Sequence, residues 1–185
     1  SARTAMVLGT GLVGMLAAET FSERVMGVAV VRARAKRDPR VLPNYFDEPC
    51  AGMIQRVFEA HGVEFYLHRH AIHVAKEGKI FLVTLSDGTV RRGDLLLVCT
   101  GIRPRTACIT DQRVKLDEGI LVDERMTTSV ANIWAAGDVA QGDDFFSSAK
   151  VVSAILPDAV RQGKTAGSQM GGARGEAPYA GAIPM

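Results

Sequence analysis

The sequence predicts an α/β fold, and three observations carry the prediction. A short apolar run, Ala5–Leu8, leads into Gly9-Thr10-Gly11-Leu12-Val13-Gly14 and then into a stretch of helix formers, 15–21. A second apolar run, Gly27–Val31, follows at the distance expected of a strand–helix–strand unit. Four further strand-like runs, 63–67, 72–75, 80–85 and 95–99, are separated by helix stops and turn residues.

Each glycine of the first loop has its own task in a strand–GxGxxG–helix unit. Gly9 allows the tight turn out of the strand, and Gly11 lets the backbone approach a pyrophosphate. Gly14 brings the helix close to the strand, and the free N–H groups and positive end of the helix favour an anion. Gly9, Thr10, Gly11, Leu12, Val13 and Gly14 are therefore candidate nucleotide contacts. A Gly-rich turn can be only a turn, but the flanking elements stand in the order that dinucleotide binding needs.

The choice of nucleotide is read at the end of the second strand. Sites for NAD usually carry an acidic residue about 20 residues past the glycines, where it accepts from the ribose 2′-hydroxyl. Arg32 stands there, followed by Arg34, Lys36, Arg37 and Arg40, with Asp38 as the opposing charge. An arginine pairs with a 2′-phosphate through charge-assisted contacts. NADP(H) is favoured over NAD(H), against the alternative of a solvated basic loop.

Residues 44–58 suit a helix with Phe46, Ile54, Val57 and Phe58 as core positions, stopped at His61-Gly62. Ser86-Asp87-Gly88-Thr89 is a hairpin signal between the 80–85 run and Val90. Leu95–Cys99 reads as a buried parallel strand. It ends in Thr100-Gly101, at the carboxyl edge where open α/β sheets bind ligands. Thr100 and Gly101 join the candidate site.

Composition excludes several classes. With 22 Lys+Arg against 20 Asp+Glu, the net charge of +2 gives no bulk basic field for nucleic acid. The apolar runs are far shorter than the roughly 20 residues of a membrane span. Cys50, Cys99 and Cys108 are widely spaced and odd in number, which is neither a disulfide framework nor a paired metal motif. Alternation along a strand puts His68 and His70 on one face and His73 on the other, so they read as surface residues and no metal site is expected. No leader-like segment opens the sequence, and a cytoplasmic location is expected.

Three blocks in order then resemble a known family: Val7 to Gly14, Asp94 to Pro104 (DLLLVCTGIRP), and Asn132 to Asp138 (NIWAAGD). Gly119–Asp123, Thr127–Ser129 and Asp158–Gly163 fit the same pattern. The chain resembles the FAD-dependent pyridine nucleotide-disulfide oxidoreductases, in the branch akin to NADH oxidase, rubredoxin reductase and the flavin part of nitrite reductase. The resemblance implies that the glycine loop is the second of two in the family, holding NAD(P)H for hydride transfer to flavin. It implies that Gly137 and Asp138 meet the ribityl chain of FAD.

On that likeness, residues 1–102 are expected to form a Rossmann-like three-layer NAD(P)-binding domain with an antiparallel hairpin insertion. Residues 103–172 would be the C-terminal half of a FAD-binding domain, and 173–185 a linker-like tail. The family's first FAD segment would lie outside this chain, its place taken by removed sequence, a partner chain or a second copy. The expected function is part of an FAD-dependent NAD(P)H oxidoreductase; the alternative is a nucleotide-binding fragment or split-enzyme subunit without activity of its own. Leu16 stands where family members often carry a Glu near the nicotinamide, and no side chain is assigned as catalytic.

Overall fold

A computed structural model describes residues 3–24, 27–32, 38–147, 149–172 and 178–183. The chain divides into two compact units, Ser1–Gly101 and Ile102–Met185.

The first unit runs β1 (Thr4–Leu8), α1 (Leu12–Ser22), β2 (Gly27–Arg32), α2 (Glu48–Ala60), β3 (Val63–Glu77), β4 (Ile80–Leu85), β5 (Val90–Gly93) and β6 (Leu95–Val98). These strands form one sheet in the order β5-β4-β3-β2-β1-β6. The β3-β2-β1-β6 part is parallel, and β3-β4-β5 is antiparallel. Parallel neighbours require crossovers, which α1 and α2 supply, whereas β4 and β5 turn at Asp87-Gly88.

Alternation along the strands makes three layers. Val7, Val28, Val30, Val63 and Leu67 pack with Met15 and Ala18 of α1 and Ala51 of α2. The intervening Met6, Leu8, Val31 and Tyr66 turn to the opposite face, where Val83 and Leu85 of β4 cover them. Helices thus cover one side of the parallel strands and the curled antiparallel part covers the other. Asp94 pins the start of β1: its Oδ2 accepts from the Arg3 N–H (2.9 Å), the Thr4 N–H (3.0 Å) and the Thr4 hydroxyl (3.0 Å).

Several expectations are corrected. The helix expected from Asn44 starts at Glu48, because Asp47 caps it by accepting from the Cys50 N–H, with Pro49 in the first turn. Ile54 and Phe58 pack against the core as expected, but Phe46 and Val57 are exposed. The runs 63–67 and 72–75 are one strand, bent where its pairing jumps from Val31–Tyr66 to Arg32–His70. Finally, β6 is parallel but only half-buried, because it lies at the end of the sheet order.

The second unit holds β7 (Ile120–Leu121), β8 (Ala140–Asp143), β9 (Lys150–Val151) and α3 (Leu156–Met170). Its core gathers Val114, Ile120, Val122, Met126, Ala135, Ala140, Ala166 and Tyr179. Residues 133–136 make a short arm. Thr128 N–H donates to the Ile133 carbonyl and Ala135 N–H to that of Met126. Within the stretch read as a tail, Tyr179 and Ala182 are buried, and Ala182 N–H donates to the Asp143 carbonyl at 2.8 Å. Among the described residues no helix is long and apolar enough to cross a membrane.

Candidate functional site

The glycine loop is built backbone against backbone. Gly9 has φ +128°, and its N–H donates to the Val31 carbonyl at 2.9 Å, which ties the loop to the end of β2. A β-carbon on Gly9 would stand 2.8 Å from the Cys99 carbonyl carbon and closer still to its oxygen. One on Gly14 would press on the Gly9 carbonyl in the same way. Neither neighbour is a side chain that can swing aside, so only glycine fits.

Gly11 differs from both. It caps α1 with φ −79° and ψ −179°, a backbone any residue adopts. A β-carbon there would meet nothing within 4 Å. No side chain caps the helix and no acidic residue lies in its first turn. The first-turn N–H groups have no intrahelical acceptor and lie at the positive end of the helix. Leu12 and Val13, which follow at that end, are exposed. An uncapped helix start with no acidic side chain in its first turn suits an anionic group.

The neighbouring candidates fall around this loop unequally. Thr10 is buried, and its carbonyl accepts from the Leu42 N–H at 2.8 Å. Thr100 and Gly101 follow Cys99, whose backbone abuts Gly9, and Gly101 has φ +91°. Arg32 is the last residue of β2 and is half-buried. Arg34 lies outside the described residues. Arg40, part of the same basic run, is tied up: its guanidinium engages Asp38 at 2.5 Å and holds that carboxyl below its usual range. A cleft of about 290 Å³ between α2 and β3 is lined by Arg40, Val41, Gln55 and Leu67, and no glycine-loop residue borders it. A dinucleotide laid across a sheet edge does not need an enclosed cavity.

In the second unit, Gly137 has φ +79° and is followed by the exposed Asp138. The Gly137 carbonyl accepts from the Ala140 N–H at 2.9 Å, which closes the turn. The Gly137 N–H donates to Gln162 Oε1 at 2.8 Å. Gln162 and its neighbour Asp158 are fully buried, and the Asp158 carboxylate is bound by the Ser153 hydroxyl and the Arg161 guanidinium. Burial, foremost, pushes the nearby Tyr179 phenol above its ordinary pKa. Gln162 and Asp158 were not singled out as site residues from sequence. Their burial at positions i and i+4 on a largely polar helix has no local signal.

A family model described as pyridine nucleotide-disulphide oxidoreductase matches residues 1–163. The chain belongs to this family. It is 39% identical over 183 residues to the NADH-dependent phenylglyoxylate dehydrogenase subunit epsilon of Aromatoleum evansii, covering 99% of this chain and 42% of that one. It is 32% identical to an NADH oxidase of Methanocaldococcus jannaschii, covering 90% of this chain and 36% of that one. The NAD-dependent persulfide reductase of A. fulgidus superposes with a TM-score of 0.85 at 26% identity, covering 99% of this chain and 33% of that one. A water-forming NADH oxidase from Lactobacillus brevis, bound to NADH, gives a TM-score of 0.82 at 26% identity, covering 92% of this chain and 37% of that one. The chain thus spans less than half the length of these family relatives.

Proposed function

We propose that this chain is the NAD(P)H-binding part, with a portion of the FAD site, of an FAD-dependent NAD(P)H oxidoreductase. The observation that carries the proposal is the contrast within the loop: Gly9 and Gly14 are locked by backbone contact, while Gly11 looks onto open space. A fold that needed glycines only for a turn has no use for that open position at an uncapped helix end.

In this reading Gly9 to Gly14 cradle the pyrophosphate of the nicotinamide nucleotide, with Thr100 and Gly101 beside them. Arg32 and Arg34 recognise a 2′-phosphate, so NADPH is preferred to NADH. Gly137 leaves room for the ribityl chain of FAD, and the exposed Asp138 carboxylate accepts hydrogen bonds from its hydroxyls. When both are bound, nicotinamide supplies a hydride and flavin accepts it. The chain's own residues bind and orient; none of them is proposed to exchange protons. The rest of the FAD site comes from a segment outside this chain, on the same polypeptide or a partner. A cytoplasmic location is part of this reading.

The test is anaerobic addition of NADPH to the full-length, FAD-loaded protein. Bleaching of the visible flavin absorption is expected, and faster with NADPH than with NADH. An unchanged spectrum with both nucleotides overturns the proposal.

A further inference from the structure

The side of α3 that enters the core is polar where an ordinary amphipathic helix is apolar. Asp158, Gln162 and Ala166 succeed one another at four-residue spacing, and all three are buried. Burying an aspartate and a glutamine is costly unless every polar atom is answered. Ser153 and Arg161 answer Asp158, and the Arg161 guanidinium also lies over the Tyr179 ring, 5.8 Å from its centroid. The Gln162 Oε1, one helical turn further on, is answered by the backbone of Gly137 at 2.8 Å.

That backbone is unusual. Gly137 sits in the left-handed region, φ +79°, and a β-carbon on it would face Ala159 of the same helix at 3.9 Å. The turn it opens is closed on one side by the Ala140 N–H. On the other side its amide is held by a side chain 25 residues away. The Asp158 network keeps α3 in place, and Gln162 transmits that placement to the turn.

We infer that Gln162 is a positioning residue that presets the Gly137–Asp138 turn for flavin. The inference rests on the reading of that turn as part of the FAD site. With the Gln162 acceptor in place, Gly137 stays in its left-handed conformation before any ligand arrives, so Asp138 needs no reordering on binding. Without it, a half-buried N–H loses its acceptor and the turn relaxes.

The experiment compares four variants of the full-length protein: Gln162→Leu, Gln162→Asn, Ala166→Gly and Asp138→Ala. Leucine removes the acceptor and asparagine withdraws it by one methylene. Ala166→Gly loosens the same buried helix face without touching Gly137. Three quantities are read: FAD affinity, thermal stability, and hydrogen exchange of the Gly137 amide in the flavin-free protein. In Gln162→Leu, or in Gln162→Asn if the leucine variant does not fold, Gly137 exchange rises and FAD affinity falls, each about tenfold. Ala166→Gly lowers stability while both other readings stay near those of the unaltered protein. Equal losses of FAD affinity in the Gln162 and Ala166 variants overturn the inference, as does a Gln162 variant that binds FAD as tightly as before. Asp138→Ala separates the two claims. If it leaves FAD affinity unchanged, the turn is not a flavin contact and both fall. If it weakens FAD while the Gln162 variants do not, only the inference falls.

Discussion

Gly14 and Gly9 touch through their backbones: a β-carbon on Gly14 would lie 3.0 Å from the Gly9 carbonyl carbon and nearer to its oxygen. The start of α1 and the loop before it are a single packed unit, with Val7 Cγ1 filling the space beneath, 3.5 Å from the same point. Gly14→Ala is expected to cost about 1–3 kcal/mol of stability, because backbone must move to admit the methyl group. Gly9→Ala adds strain at a positive φ to the same kind of clash and costs more. Urea unfolding measures both, as lowered midpoints at an unchanged slope.

Arg32 ends β2, where an acidic residue would serve a ribose hydroxyl. Arg32→Glu is expected to weaken NADPH binding by tenfold or more, on the order of a lost charge-assisted bond of about 1.5–3 kcal/mol. NADH then becomes the tighter ligand. Calorimetric titration with both nucleotides reads this, and an unaltered protein that prefers NADH would count against Arg32 as the discriminator.

Asp94 gives the first unit an acid sensitivity. The Arg3 N–H, first, and then the Thr4 hydroxyl hold its carboxyl below the usual 3.8. Because the folded value lies below the unfolded one, the stabilisation is complete above 3.8 and is lost as pH falls through the folded value. Other carboxylates behave alike, Asp111 beside Arg113 reaching about 2. The informative quantity is therefore the difference between the unaltered protein and Asp94→Asn. That difference is expected to be constant above pH 5 and to shrink on acidification below the usual carboxylate range, in thermal unfolding curves.

Gln141 is a buried cross-link of the second unit. Its Oε1 accepts from the Gly119 N–H at 3.0 Å, and its Nε2 donates to Asp117 Oδ2 at 3.0 Å and to the Lys150 carbonyl at 3.2 Å. Gln141→Leu leaves the Gly119 N–H without its acceptor and is expected to destabilise the unit by about 1–3 kcal/mol. Thermal unfolding checks it.

The parallel half of the first unit was legible because its signals are local. Glycine spacing, the apolar runs and the Asp87-Gly88 turn each act within a few residues. The start of α2 was also written locally, in the Asp47 cap and Pro49, but the apolar residues before it obscured the boundary. What could not be read depends on distant neighbours. The half-exposure of β6 follows from its place at the end of the sheet order, which no residue in 95–98 encodes. The bend in β3 arises because its first part pairs with β2 and its second with β4. Gln162 looks like an ordinary solvent-facing helix residue until Gly137, 25 residues away in sequence, is brought to it. Of the site itself, the glycine loop was legible as a motif. The distinction between its locked glycines and its open one was not.

That distinction gives the most direct test of the nucleotide site. Gly11 has an ordinary extended backbone and open space around it, so Gly11→Val should fold with near-normal thermal stability. The side chain would then occupy the open space beside Gly11 at the α1 N-terminus. The measurement is the NADPH binding isotherm of Gly11→Val beside that of the unaltered protein, with thermal unfolding of both. The predicted result is a folded protein destabilised by no more than about 1 kcal/mol, the order of a poorer helix cap, with NADPH affinity lowered at least about a hundredfold, the order of a blocked phosphate cradle. A stable Gly11→Val protein that binds NADPH as tightly as the unaltered one would contradict the assignment of this loop as the nucleotide site.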